Sequence, residues 1–224
     1  MKQSDIIQAL RLYVIAGTLN CKNGRSIEET VERALQGGAT MVQFREKGHG
    51  SLTGSDKLQC AIRLKSLCAA YRVPFIINDD AELMLLSDAD GLHIGQDDGD
   101  IAEARKRIGV NKILGVSVYT VAEAKHALQN GADYLGIGPV YETSTKEDAK
   151  QAAGIVRIQL IREHVQNIPI VGIGGINEDR AGEVIKAGAD GVAVITAVTD
   201  AGRPLAAARR LSEKAGSACS TNGR

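Results

Sequence analysis

Basic and amide side chains alternate at the end of one apolar run, in the sequence Gln43-Phe44-Arg45-Glu46-Lys47. In an extended chain, this alternation places Gln43, Arg45 and Lys47 on one side. A cation at the end of a buried run needs an anionic partner. Arg45 and Lys47 therefore indicate a clamp on phosphate oxygens, or alternatively an ion pair with a protein carboxylate such as Glu46.

Acidic residues follow the next two apolar runs. Asn78, Asp79 and Asp80 end one run, and Asp98 lies shortly after the other. Neighbouring parallel strands would bring these carboxylates together, and they would repel each other unless a cation lies between them. Mg²⁺ fits this arrangement, because it takes few carboxylates and completes its shell with water and phosphate oxygens. The alternative is that Asp79 or Asp80 caps a helix beginning near Ala81.

Glycines and hydroxyls follow the last three apolar runs. The range Gly172–Ile176 contains three glycines, and Val194–Ala197 ends the last run with Ile195 and Thr196. Glycine lets backbone N–H groups approach an anion, and a following helix N-terminus adds its dipole. We predict a phosphate site here. The polar loop Glu142–Lys146 either closes over a phosphate or is a flexible surface loop.

Histidine and cysteine give weaker signals. His93 lies inside an apolar run, where a histidine is more often a hydrogen-bonded core residue than a catalyst. The four cysteines are scattered without C-x-x-C spacing, so we interpret them as reduced thiols. No Ser/His/Asp or Cys/His constellation is evident.

The elements that must position these residues alternate regularly. Amphipathic stretches such as Ser26–Gln36, with an N-cap serine and a glycine stop at Gly37, separate eight short apolar runs. The runs are Leu12–Gly17, Met41–Glu46, Pro74–Asn78, Gly91–Gly95, Ile113–Val118, Tyr134–Val140, Ile168–Gly174 and Gly191–Thr196.

This alternation predicts an α/β protein with a single (β/α)₈ TIM-barrel domain over residues 1–215, and a flexible tail over 216–224. An open doubly wound sheet is the structural alternative, but its G-x-G-x-x-G fingerprint is missing after the first run. In such barrels the working residues lie at the C-terminal ends of the strands. The polar residues described above all fall there.

Composition limits the partners of the protein. The 224 residues carry a formal net charge of +0, so no global field attracts nucleic acid or a membrane. No apolar run approaches the ~20 residues that span a bilayer, and the first ten residues lack a signal-peptide core. We therefore expect a cytoplasmic enzyme acting on small phosphorylated molecules.

With these motifs assembled, the sequence from about Leu12 to Leu211 resembles the thiamine-phosphate synthase (thiamine-phosphate pyrophosphorylase) family. Beyond the segments already quoted, the resemblance rests on His93-Ile94-Gly95-Gln96-Asp97-Asp98, Gly115-Val116-Ser117 and Gly136-Ile137-Gly138-Pro139. It implies that 4-amino-2-methyl-5-(diphosphooxymethyl)pyrimidine is joined to a thiazole phosphate, or to its carboxylate. The products implied are thiamine phosphate and pyrophosphate.

The resemblance also assigns roles to individual residues. It implies Asp79 and Asp98 as ligands of Mg²⁺. It implies contacts with the pyrophosphate oxygens for Arg45, Lys47, Asn78 and Lys146. It places Gln43 and Ser117 near the pyrimidine and the departing group, and gives catalytic roles to Arg45, Lys47, Ser117 and Lys146. It implies contacts with the thiazole phosphate for Thr143, Thr145, Gly175, Ile195 and Thr196.

The family mechanism implied by the resemblance begins with loss of pyrophosphate, which leaves a pyrimidine methylene cation. Three other functions compete with it. A related thiazole tautomerase isomerises the thiazole precursor. The resemblance implies that the tautomerase has a histidine at the position of Ser117. Another phosphate-binding barrel isomerase or lyase would need an acid–base pair or a lysine imine, for which Lys47 is the candidate. A catalytically silent binding protein is the third. The sequence leaves a homo-oligomer possible.

Overall fold

The computed structural model describes residues 2–143 and 151–221 and forms a closed barrel of eight parallel strands in chain order. The strands are β1 (Leu12–Ala16), β2 (Met41–Phe44), β3 (Phe75–Asn78), β4 (Gly91–Ile94), β5 (Ile113–Val118), β6 (Tyr134–Ile137), β7 (Ile170–Ile173) and β8 (Gly191–Val194). Pairing of β1 with β8 closes the barrel, with Tyr13 opposite Ala193. The predicted TIM-barrel fold is confirmed, and the open sheet is excluded.

Helices surround the barrel and connect its strands. They are α1 (Gln3–Leu10), α2 (Ile27–Gln36), α3 (Gly54–Ala70), α4 (Ala81–Leu86), α5 (Ile101–Ile108), α6 (Val121–Gln129), α7 (Val156–His164), α8 (Glu178–Lys186), α9 (Thr196–Thr199) and α10 (Pro204–Thr221). Within the described ranges, no helix combines the length and apolar content needed to cross a bilayer.

Local sequence explains where several helices begin. Ser26 accepts a hydrogen bond from the Glu29 N–H at the start of α2, as its N-cap position predicts. Thr120 and Glu123 form a reciprocal capping box at the start of α6. These caps satisfy backbone donors that the helix itself leaves unpaired, so each helix begins at a residue fixed by its sequence.

The apolar core has two parts, which follow the alternation of the strands. Leu12, Val14 and Ala16 of β1 point outward and pack in the layer between barrel and helices. Tyr13 and Ile15 point inward and join a smaller cluster that includes residues of α1. Helix α1 therefore closes the N-terminal end of the barrel, and the C-terminal end stays available for a site.

The described strands are shorter than several of the predicted runs. Strand β2 ends at Phe44 and β6 ends at Ile137, before the polar residues that follow each of them. Helix α10 continues through Thr221, beyond the predicted domain limit at residue 215. Residues 216–221 are thus helical, and flexibility of the tail remains a prediction.

Candidate active site

One open cavity at the C-terminal end of the barrel collects most of the predicted site residues. It is lined by Arg45, Lys47, Asn78, Asp79, Asp98, Ser117, Thr143, Gly175, Ile195 and Thr196, together with His93, Gln96, Tyr119 and further loop residues. These residues come from the ends of seven different strands or the loops after them, as the parallel barrel predicts. Thr145 and Lys146 lie outside the described residues.

Backbone pairing continues past the strands and places the charged side chains at the cavity. The Arg45 N–H donates to the Ala16 carbonyl at 2.8 Å, and the Asp79 N–H donates to the His93 carbonyl at 2.8 Å. Arg45 and Asp79 each follow the last residue of their own strand. These hydrogen bonds fix Arg45 to β1 and Asp79 to β4. Asp79 also has a positive φ of 61°, which turns the chain sharply after β3.

The two consecutive aspartates after β3 have separate roles. Asp80 caps α4, because its Oδ1 accepts from the Leu83 N–H at 2.9 Å, and its Oδ2 pairs with Lys57 at 2.9 Å. Asp79 instead forms an ion pair with Lys47. The helix-cap alternative therefore applies to Asp80, and Asp79 is available to the cavity.

Asp79, Asp98 and Lys47 form a compact charged cluster. The Lys47 ammonium contacts Asp79 and lies 3.8 Å from Oδ1 of Asp98. Asp98 is held from its other side, where the Gly95 N–H donates to its Oδ2 at 2.8 Å. Both carboxyl groups therefore lie near the same ammonium group. The structure thus brings together the two acids that the resemblance implies as metal ligands.

The cluster shifts the ionisation of its members in different directions. Burial, followed by the neighbouring Asp98 carboxyl, raises the pKa of Asp79. Burial opposes ionisation of Asp98 as well, but its hydrogen bonds and Lys47 lower the pKa of that carboxyl. For Lys47, burial would lower the pKa, but the two carboxylates outweigh it and raise the pKa. The ionised form of Asp79 is therefore less stabilised than that of Asp98, and a further cation beside Asp79 would favour it.

Arg45 does not form the ion pair with Glu46 that the alternative interpretation required. Glu46 accepts hydrogen bonds from the Thr18 N–H at 2.8 Å and from the Leu52 N–H at 2.9 Å, and it also accepts from the Thr18 hydroxyl. Among the described residues, no carboxylate lies within ion-pair distance of Arg45. A guanidinium that lines a cavity without a protein anion is suited to an anionic ligand.

The other end of the cavity is built from glycines and hydroxyls. Gly174 and Gly175 both have positive φ, of 100° and 62°. A Cβ on Gly174 would lie 2.6 Å from Pro139, and one on Gly175 would lie 2.6 Å from the Glu142 carbonyl oxygen. The loop after β7 therefore packs directly against the loop after β6, which only glycine permits. Ile195 and the start of α9 line the same end.

Ser117 and Gln43 are the remaining predicted residues. Ser117 lines the cavity from β5, and its hydroxyl lies 2.9 Å from Nε2 of His93. Gln43 is buried within the barrel and donates from Nε2 to the Tyr13 hydroxyl at 2.6 Å. Gln43 is thus placed one level below the charged cluster, inside the barrel. His93 is hydrogen-bonded, as expected of a core histidine, but it also reaches the cavity.

Sequence reasoning missed several residues that shape the cavity. Tyr119 lines it, with the Arg157 guanidinium 3.1 Å from the centre of its ring. Gln96 lines it and donates to the Ser117 carbonyl at 2.6 Å. Arg180 donates to the Gly175 carbonyl at 2.7 Å and so supports the glycine turn from α8. The position of Tyr119 just after a predicted strand could have indicated that it lines the site. Arg180 lies within a helix, where no sequence pattern indicates a role in the site.

A cavity at the C-terminal end of a parallel barrel, with acids and cations at one end and a glycine turn at the other, is typical of barrel enzymes that bind phosphorylated molecules.

Comparison with known proteins identifies the family. The family model described as "Thiamine monophosphate synthase" matches residues 12–198. The chain is 51% identical over 209 residues to a thiamine-phosphate synthase of Geobacillus kaustophilus, covering 93% of each chain. It is 52% identical over 205 residues to one of Bacillus velezensis, covering 92% of this chain and 90% of the other.

A solved structure agrees with these matches. The thiamine phosphate pyrophosphorylase from Pyrococcus furiosus superposes with a TM-score of 0.84 at 37% identity, covering 95% of this chain and 98% of the other. The chain belongs to the thiamine monophosphate synthase family. The predicted activity, that of a transferase making thiamine phosphate, is confirmed at this level.

Proposed function

We propose that the cavity binds 4-amino-2-methyl-5-(diphosphooxymethyl)pyrimidine at its charged end and a thiazole phosphate at its glycine end. The observation that carries this proposal is the shared cavity, which joins Arg45, Lys47 and Asp79 to Gly175 and Thr196. Two phosphorylated molecules held in this way would meet between the two anion sites. Holding the thiazole by its remote phosphate orients its nitrogen and lowers the entropic part of the barrier.

Asp79 and Asp98 would hold Mg²⁺ at the charged end. The donor set suits this ion, because two carboxylates lie together and leave room for water and diphosphate oxygens. Oδ2 of Asp79 is buried and accepts no hydrogen bond of acceptable geometry, although the Lys47 ammonium lies against it. Mg²⁺ bound there would stabilise the negative charge that develops on a departing diphosphate.

The basic side chains act on the same leaving group. The bond between the methylene carbon and the diphosphate oxygen breaks first, and its electron pair leaves with the diphosphate. Arg45, Lys47 and Asn78 bind the oxygens on which this charge grows. The lone pair of the thiazole nitrogen then forms the new C–N bond with the methylene cation. This nitrogen is already nucleophilic, so the reaction needs no strong base.

The thiazole phosphate would be held by Thr143, Gly175, Ile195 and Thr196. All four line the glycine end of the cavity, where backbone donors, hydroxyls and the start of α9 come together. Thr145 is proposed as a further contact with this phosphate. Lys146 is proposed as a contact with the diphosphate. Both proposals rest on the resemblance of the sequence alone.

Product analysis tests the proposal directly. The protein is incubated with the pyrimidine diphosphate, the thiazole phosphate and Mg²⁺, and mass spectrometry should detect thiamine phosphate with an equal amount of pyrophosphate. Omission of either substrate is the control. Isomerisation of a thiazole precursor without C–N bond formation would support the tautomerase instead. Binding of the diphosphate in calorimetry without any turnover would support a silent binding protein.

A cytoplasmic location and a homo-oligomer are further proposals from the sequence. Neither follows from the geometry of the site. Cell fractionation tests the location. Light scattering on the purified protein tests the oligomeric state.

A further inference from the structure

A chain of hydrogen-bonded side chains crosses the interior of the barrel beneath the cavity. Nε2 of Gln43 donates to the Tyr13 hydroxyl at 2.6 Å, and the Tyr13 and Tyr134 hydroxyls lie 2.9 Å apart. The Tyr134 hydroxyl lies 2.9 Å from Nδ1 of His93, and Nε2 of His93 lies 2.9 Å from the Ser117 hydroxyl. The chain therefore connects Gln43 to Ser117, two residues that the family resemblance places near the pyrimidine and the departing group.

The barrel is built to hold these rings in place. A Cβ on Gly115 would lie 2.1 Å from the Tyr134 ring and 2.5 Å from Nδ1 of His93, and one on Gly136 would lie 3.2 Å from His93. The two glycines thus provide the space that the rings occupy. Tyr13 and Tyr134 are fully buried and meet edge to face, with ring centres 6.0 Å apart.

Both tyrosines keep their protons at any working pH. Burial raises the pKa of Tyr13 and of Tyr134 above the ordinary value for a phenol. Each hydroxyl therefore has one proton to donate, and the five groups can form an unbroken chain only if all of them donate in the same direction. The Gln43 amide starts the chain, because its Nε2 can only donate.

We propose that this series of hydrogen bonds from Gln43 to Ser117, the relay, has a fixed polarity. Tyr13 donates to Tyr134, Tyr134 donates to Nδ1 of His93, and the Nε2–H of His93 donates to Ser117. The Ser117 oxygen then already accepts a hydrogen bond, and its own proton is directed to the cavity. At the other end, Oε1 of Gln43 is left as an acceptor. Tyr13, Tyr134 and His93 are thus positioning residues that set which end of the relay accepts and which donates.

This polarity matches the leaving group at the Ser117 end, and here the inference rests on the proposed function. A departing diphosphate offers only acceptor oxygens, which pair with the Ser117 O–H. The opposite polarity would turn the Ser117 lone pairs toward the diphosphate, and that contact would be repulsive. Gln43 is buried inside the barrel, so it sets the direction of the relay from beneath the cavity.

The tautomer of His93 reports the polarity without any need for activity. In full-length protein labelled with ¹⁵N-histidine, two-bond correlation spectra distinguish Nε2–H from Nδ1–H imidazole. The His93 signals are identified by their loss in His93→Gln. The proposal expects the Nε2–H form in wild type and in the surface control Tyr71→Phe, and a mixture of tautomers in Tyr134→Phe. A predominant Nδ1–H form, or a doubly protonated ring, would overturn it.

Kinetics test the effect on catalysis. Tyr134→Phe and Tyr13→Phe should lower kcat about tenfold, the scale of one misdirected hydrogen bond, and change the KM for the thiazole phosphate less than about twofold. Thermal melting shows that the variants are folded. His93→Gln, whose amide can accept and donate at the same spacing, should keep more activity than His93→Leu. Wild-type kcat in both tyrosine variants, or equal loss in the two His93 variants, would contradict the relay.

The two sets of measurements separate this inference from the proposed function. If wild-type protein makes no thiamine phosphate, the proposed function fails, whatever the His93 tautomer is. If wild type is active but His93 carries its proton on Nδ1, the relay polarity alone fails.

Discussion

At the closed end of the barrel, Arg105 and Arg162 each meet one aspartate and several backbone carbonyls. Arg162 donates to Asp190 at 2.6 Å and to the carbonyls of Gly188, Gln166 and Ile168. Arg105 repeats this arrangement with Asp133 at 2.6 Å. Each aspartate also accepts a strand N–H, so these two arginines and two aspartates have their partners within the protein.

At the open end, the same residue types are arranged differently. Asp79 and Asp98 share one lysine, Lys47. Arg45 has no carboxylate partner among the described residues. Charges left incompletely paired cost stability, whereas the paired charges at the closed end connect helices to strands. Pairing, rather than residue type, therefore distinguishes these structural charges from the charges proposed to bind substrate.

The largest expected effect is on turnover at the open end. Arg45→Ala or Asp79→Ala should lower kcat by at least about 10²-fold, because each removes a group that is proposed to stabilise charge on the leaving diphosphate, Asp79 through Mg²⁺. Steady-state assays with saturating substrates measure it. Arg105→Ala, assayed per folded molecule, is the control at the closed end and should keep kcat. Near wild-type turnover in both open-end variants would refute the site assignment.

The closed end should show the converse. Arg162→Ala should lower the free energy of unfolding by about 3 kcal/mol, because it leaves Asp190 and buried carbonyls without their donor. Urea denaturation measures the change. Arg63→Ala, which removes an exposed 2.9 Å pair with Glu28, is the control and should lower stability far less, because water screens exposed ion pairs. Equal losses in the two variants would remove the distinction between buried and exposed pairs.

A smaller effect in the opposite direction is expected for Asp79→Asn. The folded-state pKa of Asp79 is raised, so its stabilising protonated form is fully present below the unfolded-state pKa and is lost as pH rises through the folded-state pKa. An asparagine stays neutral at every pH, so the variant does not lose the stability that wild type loses when Asp79 ionises. Without Mg²⁺ or substrates, the variant should therefore have a higher Tm than wild type at pH 7, and the difference should shrink toward pH 4.

Calorimetric scans across this pH range make the measurement. Asp80→Asn is the matched control, because Asp80 has a lowered pKa from its Leu83 N–H and Lys57 partners, although burial opposes ionisation. It should lower the Tm at pH 7. A lower Tm for Asp79→Asn at pH 7 would show that Asp79 is well paired in the unliganded protein.

The sequence predicts the candidate site as far as it predicts the ends of the strands. Asp79 and Asp98 were placed together because they follow neighbouring runs, and parallel strands end at one edge. The sequence left open whether Asp79 or Asp80 caps α4, because both stand at suitable positions. Backbone geometry separates them, with Asp79 at positive φ beside Lys47 and Asp80 bonded to the Leu83 N–H.

The relay from Gln43 to Ser117 was not predictable. His93 was recognised as a buried histidine, but its partners come from β5 and β6, and Tyr13 lies 121 residues before Tyr134. No local pattern connects residues so far apart. Their contact depends on barrel closure and on the space left by Gly115 and Gly136.

The sequence by itself determined the barrel, through eight apolar runs separated by capped amphipathic helices, and the positions of the polar residues at the strand ends. These features depend on local propensity and on periodicity, which one chain segment carries alone. Tertiary structure decided which charges are paired, which of two adjacent aspartates enters the cavity, and how Tyr134 reaches His93. Those outcomes depend on the distances and directions between side chains of different strands, which are fixed only when the barrel closes.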